Sequence, residues 1–381
     1  MPDPASSYVV RLARTVPRPV QPGIGLHCFH YTRLSKRRSL ILTKAMDSPP
    51  IRPRDDTTLV EIDYQDRSAT KEKLGRLDVL VVGLSKIYGE ARFLRGALRA
   101  LRKEGVRPSV IHVHSANYLL TGAVLKRIYG APLCLNFGGT ELLRARSIPY
   151  YRWMFRQLDI GFYVARRMEE SLFSMMDREK CVYTGNGVDH DLFFPDPDAE
   201  KRDEIICVGN LRWQKDYANL VEAFARIADR FPSYRVRIFG EGPERPALEQ
   251  QIKAHGLEGR VVLEGMQSQE TIRSAQQQAR LFVICSKVEG FPKALIEAMA
   301  CGLPVVATDA GECARVLEAI SEVLPPGDST ALAKALETMI QDEGLRGQIS
   351  AACRRRSQDF SWERVSEVVE ATYDKLEGRE R

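Results

Sequence analysis

The stretch Glu289-Gly290-Phe291-Pro292-Lys293-Ala294-Leu295-Ile296-Glu297-Ala298-Met299-Ala300-Cys301-Gly302-Leu303-Pro304 lies between two apolar runs, 281–285 and 304–308. An apolar strand, a turn rich in Gly and Pro, a run of helix formers, a Gly and a second strand spell one β-α-β step. Pro292 suits the first helical position, where its missing N–H would be unbonded anyway, Gly290 allows an unusual backbone turn, and Gly302 stops the helix. The free N–H groups of that first turn point outward at the positive end of the helix dipole, where a phosphate is stabilised. Lys293 in the same turn opposes the dipole unless an anion or water lies beside it. A solvated lysine on an ordinary strand-to-helix turn explains the same residues without a ligand.

Working outward, the same alternation fills both halves of the chain. Strands are expected at 8–12, 39–43, 59–63, 78–82, 110–114 and 132–137, then at 204–208, 235–239, 261–264, 281–285 and 304–308, with helices between several of them. The fold class is therefore α/β, with two Rossmann-like, doubly wound parallel sheets. Between them Asn186-Gly187-Val188-Asp189 and Phe194-Pro195-Asp196-Pro197-Asp198 form a turn and a stiff polar stretch without periodicity. The expected division is a first domain at 1–187, a linker at 188–203, a second domain at 204–360 and a closing helix at 361–381. Ligands of such sheets bind beyond the carboxyl ends of the strands, so two of them facing each other would line a central cleft.

The composition agrees with a folded chain of two domains. There are 381 residues, 44% hydrophobic and 28% charged, and no apolar run is long enough to span a bilayer. Met1 to Arg14 lacks the apolar core of a secretory signal, so the expected location is the cytoplasm, with reduced thiols. Eight cysteines without a C-x-x-C pair suggest neither zinc nor a disulfide framework and read as small core residues. The net charge of +6 divides into +13 over residues 1–150 and −7 over the rest. A basic front half implies an anionic partner: a membrane surface, a phosphorylated acceptor or nucleic acid. Nucleic acid is the poorest of these, because no base-reading module accompanies the charge.

Glu289 and Glu297, with seven residues between them, resemble the E-x7-E element of GT-B glycosyltransferases, in particular the retaining glycosyltransferase family four. Asn186-Gly187-Val188-Asp189 with Phe194-Pro195 resembles its interdomain signature, and Val208-Gly209-Asn210-Leu211-Arg212 with Lys215 its phosphate-binding loop. Phe239-Gly240-Glu241-Gly242-Pro243, Val262-Leu263-Glu264-Gly265, Pro304-Val305-Val306-Ala307-Thr308 and Pro325-Pro326-Gly327-Asp328 follow in the family's order. The resemblance covers 181–375 and is weaker before it.

The resemblance implies a GT-B fold and transfer of a sugar from a UDP- or GDP-sugar to a glycan or polyprenyl-diphosphate-linked acceptor. Transfer would proceed with retention, without a metal or other cofactor, in polysaccharide or glycolipid synthesis. Arg212 and Lys215 would grip the diphosphate. Glu289 with the backbone of Gly290 and Phe291 would orient the sugar, and Glu297 would bind the ribose hydroxyls. Pro292, Lys293 and Leu295 complete the donor set, with Gly240 after its strand and Gly25 in the glycine-rich loop Pro22-Gly23-Ile24-Gly25. His114 and the loop Gly138-Gly139-Thr140 resemble the family's sugar and acceptor elements. Two departures stand out: Asn210 where many relatives carry the arginine, and Gly138 where many carry a histidine at the sugar. The loss of that histidine leaves backbone groups of 138–140 as substitutes. Front-face displacement, in which the leaving phosphate takes the acceptor proton, demands no side-chain base. A nucleotide-sugar epimerase of the same fold and a non-catalytic sugar-nucleotide-binding subunit remain as alternatives.

Three further stretches carry expectations. On a helix over 91–103, Arg92, Arg95, Arg99, Arg102 and Lys103 form a basic stripe opposite Phe93, Leu94, Ala97, Leu98 and Leu101, fit to lie on the anionic inner face of a membrane. Arg144, Arg146, Tyr150, Tyr151, Arg152, Trp153, Phe155 and Arg156 interleave cations with aromatics in the same sense. A solvated helix face packed on the sheet explains the first stretch equally well and the second somewhat better. Ser361 caps a final helix that, on the resemblance, crosses back to the first domain. The Asp-x-Asp sequences at 189–191 and 196–198 lie in the linker and are not read as metal sites.

Overall fold

The computed structural model describes residues 7–14, 16–17, 26–46, 50–62, 76–138, 142, 149–318, 320–321 and 323–378. They group into two compact units, one of 1–164, 168–184 and 366–381, the other of 165–167 and 185–365. The first contains a seven-stranded sheet of β1 (Tyr8–Ala13), β2 (Arg38–Lys44), β3 (Thr58–Ile62), β4 (Pro108–Val113), β5 (Leu133–Phe137), β6 (Ile160–Tyr163) and β7 (Cys181–Tyr183), in the order β3-β2-β1-β4-β5-β6-β7. Every pairing is parallel. Central strands are buried almost throughout, as expected when helices cover both faces. Its helices include α1 (Leu26–Arg33), α2 (Arg76–Lys103), α3 (Leu119–Tyr129) and α4 (Pro149–Phe155).

The expected strand at 78–82 is helix. A short apolar run cannot be told from buried helix by periodicity, and here it continues into the amphipathic pattern that follows. Topology needs the length: from edge strand β3 the chain must pass β2 and β1 to reach β4, and a helix of 28 residues extends about 42 Å. In the half of α2 whose side chains are described, Phe93, Ala97 and Leu101 are buried and Arg92, Arg95, Arg99, Arg102 and Lys103 are exposed. Strands β6 and β7, four and three residues long, lacked any expectation because they carry no alternation.

The second unit contains β8 (Glu204–Val208), β9 (Arg235–Phe239), β10 (Val261–Gly265), β11 (Leu281–Ile284) and β12 (Val305–Ala307), all parallel, in the order β10-β9-β8-β11-β12. Its helices include α5 (Tyr217–Ala225), α6 (Arg245–Ala254), α7 (Gln269–Gln278), α8 (Lys293–Ala300), α9 (Ser329–Gln341) and α10 (Glu343–Ser357). The last helix, α11 (Trp362–Leu376), is capped by Ser361 Oγ, which accepts from the Arg364 N–H at 3.2 Å. In both sheets the strand order reverses once, between β1 and β4 and between β8 and β11, and a doubly wound sheet binds its ligand at that reversal. Seven of the eight cysteines are buried, and Cys181 is partly so. No helix among the described residues is long and apolar enough to cross a membrane.

Candidate functional site

At the reversal in the second sheet, the loop after β8 meets the loop after β11. Lys287 and Val288 donate their backbone N–H groups to the Gln214 carbonyl at 2.8 and 3.3 Å. The Lys215 ammonium bonds Glu289 Oε1 at 2.5 Å, and Ser286 Oγ donates to the same oxygen at 2.7 Å. Thr308 at the end of β12 fixes the turn by donating to the Ser286 carbonyl at 2.7 Å. The Glu289 side chain is 9% exposed and that of Lys215 26%, so the pair is largely withdrawn from water yet open on one side.

A second bridge joins the two loops: Lys287 Nζ donates to Asp216 Oδ1 at 2.8 Å. Asp216 is buried, and its φ of 51° makes it the one non-glycine residue in the left-handed region among the described residues. Its Oδ2 has no hydrogen-bond partner among the described residues. Neither the bridge nor the backbone conformation has a sequence signal, because aspartate rarely adopts it.

Helix α8 begins one residue later than expected, with Pro292 as its N-cap and not its first helical residue, and Gly302, at φ 72°, lies past its end. Gly290 does not take the unusual turn assigned to it: its φ is not in the left-handed region, and a Cβ there would meet nothing within 4 Å. The glycine that the turn needs is Gly311, at φ 63°. A Cβ on it would come within 2.6–2.7 Å of the Glu289 Cβ and the Glu289 and Gly290 carbonyls. The backbone N–H groups of Gly290, Phe291 and Ala294 find no acceptor among the described residues, so the helix start offers three donors beside the Lys215–Glu289 pair.

Lys293 and Glu297, one turn apart on α8, are half-buried and form no ion pair among the described residues. Burial pushes the Lys293 ammonium down and the Glu297 carboxyl up, each partly countered by the other. Leu295 is fully buried and offers no side-chain surface to a ligand, and Phe291 packs edge-on against Phe360.

Gly240 and Gly242 let the loop after β9 press on the loop after β8. A Cβ on Gly240 would lie 2.0 Å from the Gly209 carbonyl oxygen, and one on Gly242 2.2 Å from that of Leu211. Their immediate part is to set the shape of the loop after β8. Arg212 is exposed and makes no ion pair among the described residues. It lines a cavity of about 230 Å³ with Trp213, Asp216, Glu244, Gln251 and Lys287.

In the first unit, His114 stands at the carboxyl end of β4, stacked on His112 with ring centroids 4.3 Å apart. Burial lowers both imidazoles well below the usual histidine range, helped for His112 by the fully buried Arg11 and for His114 by His112 and then Arg11. Gly138 follows β5 and is exposed. Gly25, Gly139 and Thr140, with Arg144 and Arg146, lie outside the described residues. Among the described residues no group of three or more His, Cys, Asp or Glu could hold a metal ion.

Residues 189–356 match the sequence family Glycosyl transferases group 1, and residues 63–192 match Glycosyltransferase Family 4. The chain is 25% identical over 329 residues to the phosphatidylinositol N-acetylglucosaminyltransferase gpi3 subunit of Schizosaccharomyces pombe, covering 82% of this chain and 72% of that protein. It is 27% identical over 292 residues to the lipopolysaccharide core biosynthesis mannosyltransferase LpcC of Rhizobium leguminosarum bv. viciae, covering 72% and 80%. Among solved structures, the sucrose-phosphate synthase of Thermosynechococcus elongatus superposes with a TM-score of 0.78 at 18% identity, over 98% of this chain and 100% of that one. Anabaena Alr3699/HepE in complex with UDP and glucose gives 0.73 at 19% identity, over 96% and 98%.

Proposed function

The chain belongs to the glycosyl transferases group 1 and family 4 glycosyltransferases of GT-B fold and is a hexosyltransferase-type enzyme, and from that premise we propose that it moves a hexose from a UDP- or GDP-sugar to a glycan or lipid-linked hydroxyl with retention of configuration. The observation that carries this reading is the Lys215–Glu289 pair beside three unengaged N–H groups at the start of α8. Those donors and Lys215 receive the diphosphate, whose charge grows as the glycosidic bond breaks, and so supply without a metal the stabilisation that the step needs. When the diphosphate takes the ammonium, Glu289 is released to accept from sugar hydroxyls, and Glu297 takes the ribose. In the transfer, the acceptor oxygen bonds to the anomeric carbon on the face from which the phosphate oxygen leaves. That phosphate oxygen takes the acceptor's proton.

The partners also include a membrane surface in this reading. Arg92, Arg95 and Arg99 are exposed and make no ion pair among the described residues, and each basic residue near anionic lipid contributes about 1 kcal/mol. Replacing all three by glutamate is expected to abolish co-sedimentation with phosphatidylserine vesicles, and unchanged sedimentation would remove the membrane from the reading.

The test of the central proposal is a screen of labelled UDP- and GDP-sugars with the purified protein. Slow donor hydrolysis to nucleoside diphosphate, accelerated by acceptor, is the expected result. A C2-inverted nucleotide sugar would assign an epimerase instead, and binding without turnover in the presence of acceptor a binding subunit.

A further inference from the structure

The outer edge of the first sheet holds a cationic hollow that the transfer chemistry does not use. Between β3, the outermost strand, and the second half of α2 lies a cavity of about 480 Å³ walled by Arg92, Arg95, Arg99 and Lys103. These four follow one another at spacings of three and four residues, so they form one stripe along the helix. None of them makes an ion pair or a hydrogen bond among the described residues. Like charges at that spacing destabilise a helix, and an anion held between them would relieve the repulsion.

The floor of the hollow is small where its walls are long. Gly96 and Ala100 lie beneath the stripe, and a Cβ on Gly96 would come within 2.6 Å of Ile62 Cγ2. A glycine inside a helix weakens it, and here it lets the helix backbone settle onto the strand while the basic side chains stand over the gap. Glu61, exposed on β3, is the one carboxylate in the lining among the described residues, and four cations against one anion leave a net charge of +3. A carboxylate or a phosphodiester brings a single negative charge to such a place. A phosphomonoester brings about −1.5 to −2 at neutral pH with three acceptor oxygens, which guanidinium forks engage in pairs. Strand β2 separates β3 from β1, where the strand order reverses, so the hollow stands apart from the sheet end at which such folds bind their reacting ligands.

We propose that this hollow is a phosphomonoester site, which takes the phosphate of a lipid headgroup or of a small soluble ester. The site rests on the cavity and its charge alone, and only occupation by a lipid deepens the membrane reading.

Two arms distinguish the sources. In the first, the arginine Nε–H signals of ¹⁵N-arginine-labelled full-length protein are followed during titration with glycerol 3-phosphate at constant ionic strength, with Arg95→Gln and Arg99→Gln assigning those two signals. Both are expected to shift together and to saturate. In the second, co-sedimentation is measured with phosphatidylcholine vesicles carrying phosphatidate, a lipid phosphomonoester, and with vesicles carrying enough phosphatidylglycerol to match their surface potential. The protein is expected to bind the phosphatidate vesicles about tenfold more tightly, the gain from one further hydrogen bond between charged groups. Arg95→Gln/Arg99→Gln is expected to bind the two vesicles equally, and it should fold at least as well as the wild type because both side chains are exposed and the like-charge spacing is broken. Arg102→Gln/Arg107→Gln removes the same charge from exposed positions outside the lining, and it is expected to weaken both vesicles alike and keep the preference. A preference for phosphatidate assigns the lipid, and saturable shifts without that preference assign a soluble ester. Shifts that rise linearly together with equal binding of the two vesicles, or a preference that survives Arg95→Gln/Arg99→Gln, would overturn the proposal. Equal losses in the two double variants on both vesicles would leave the membrane reading standing and remove the site.

Discussion

In the proposed donor site, a single ion pair governs how the second unit receives an anion. Glu289 has two partners for one oxygen, Lys215 and Ser286, and its side chain is almost out of water. Lys215→Ala leaves a nearly buried carboxylate with a hydroxyl alone, which is costly where water cannot replace the lost partner. Lys215 is itself partly exposed, so solvent screens part of the effect. Donor affinity is expected to fall about tenfold to a hundredfold, the ~1.5–3 kcal/mol carried by a hydrogen bond to a charged group. Glu297→Ala is expected to weaken the donor similarly through the ribose. Calorimetry with UDP and GDP checks both, and unchanged affinity would detach them from the donor. The sequence showed these residues because their types and spacing carry chemistry. It hid Ser286 and Gly311, whose roles depend on which loops meet.

The two loops at the sheet reversal are set as much by backbone conformation as by charge. Asp216 is held left-handed, where a Cβ is strained by roughly 1 kcal/mol, and it buries a carboxylate oxygen without a partner among the described residues, which costs about as much again. Against this stands its bond to Lys287, whose side chain is 47% exposed and whose contribution is correspondingly small. Asp216→Gly should therefore raise the stability of the second unit, and Asp216→Ala, which keeps the Cβ, should be less stable than Asp216→Gly by about 1 kcal/mol. Urea unfolding of the three proteins gives the order, and alanine at or above glycine would show that the conformation is not what the position resists. Strands β8 to β12 were legible because each is a compact apolar run with turn residues on both sides. The run at 78–82 had no such boundary, and the tertiary need for a long crossover from β3 to β4 made it helix.

At the scale of the whole molecule, the chain's end is part of the core at its beginning. The buried Arg37 guanidinium bonds Glu370, Asp374 and Glu377 of the last helix and the turn after it, and Tyr373 bonds Arg11 and His112. The sequence showed a capped amphipathic helix there but not its partners, because contacts between residues more than 260 positions apart leave no local pattern. The first unit's stability also depends on pH in two opposed ways. His112 is fully buried and titrates well below 6.5, so as pH falls under about 6.5 the unfolded chain takes up a proton that the folded one refuses. Stability is then lost at about 1.4 kcal/mol per pH unit. His114 adds in the same sense. Glu90, which accepts from the Thr121 N–H at 3.2 Å, is raised by burial from 4.5 to about 7, so between those values the folded chain holds a proton that the unfolded one has released, and lowering the pH stabilises it. The Glu90 contribution thus offsets about one histidine between pH 4.5 and 6.5. Glu90→Gln removes only the offset, and its first-unit transition should lose stability on acidification more steeply than the wild type by about 1.4 kcal/mol per pH unit. Urea midpoints at pH 5.0, 5.7 and 6.4 measure the difference. A Glu90→Gln slope equal to or shallower than that of the wild type would mean that Glu90 is ionised throughout this range and that burial does not govern its titration.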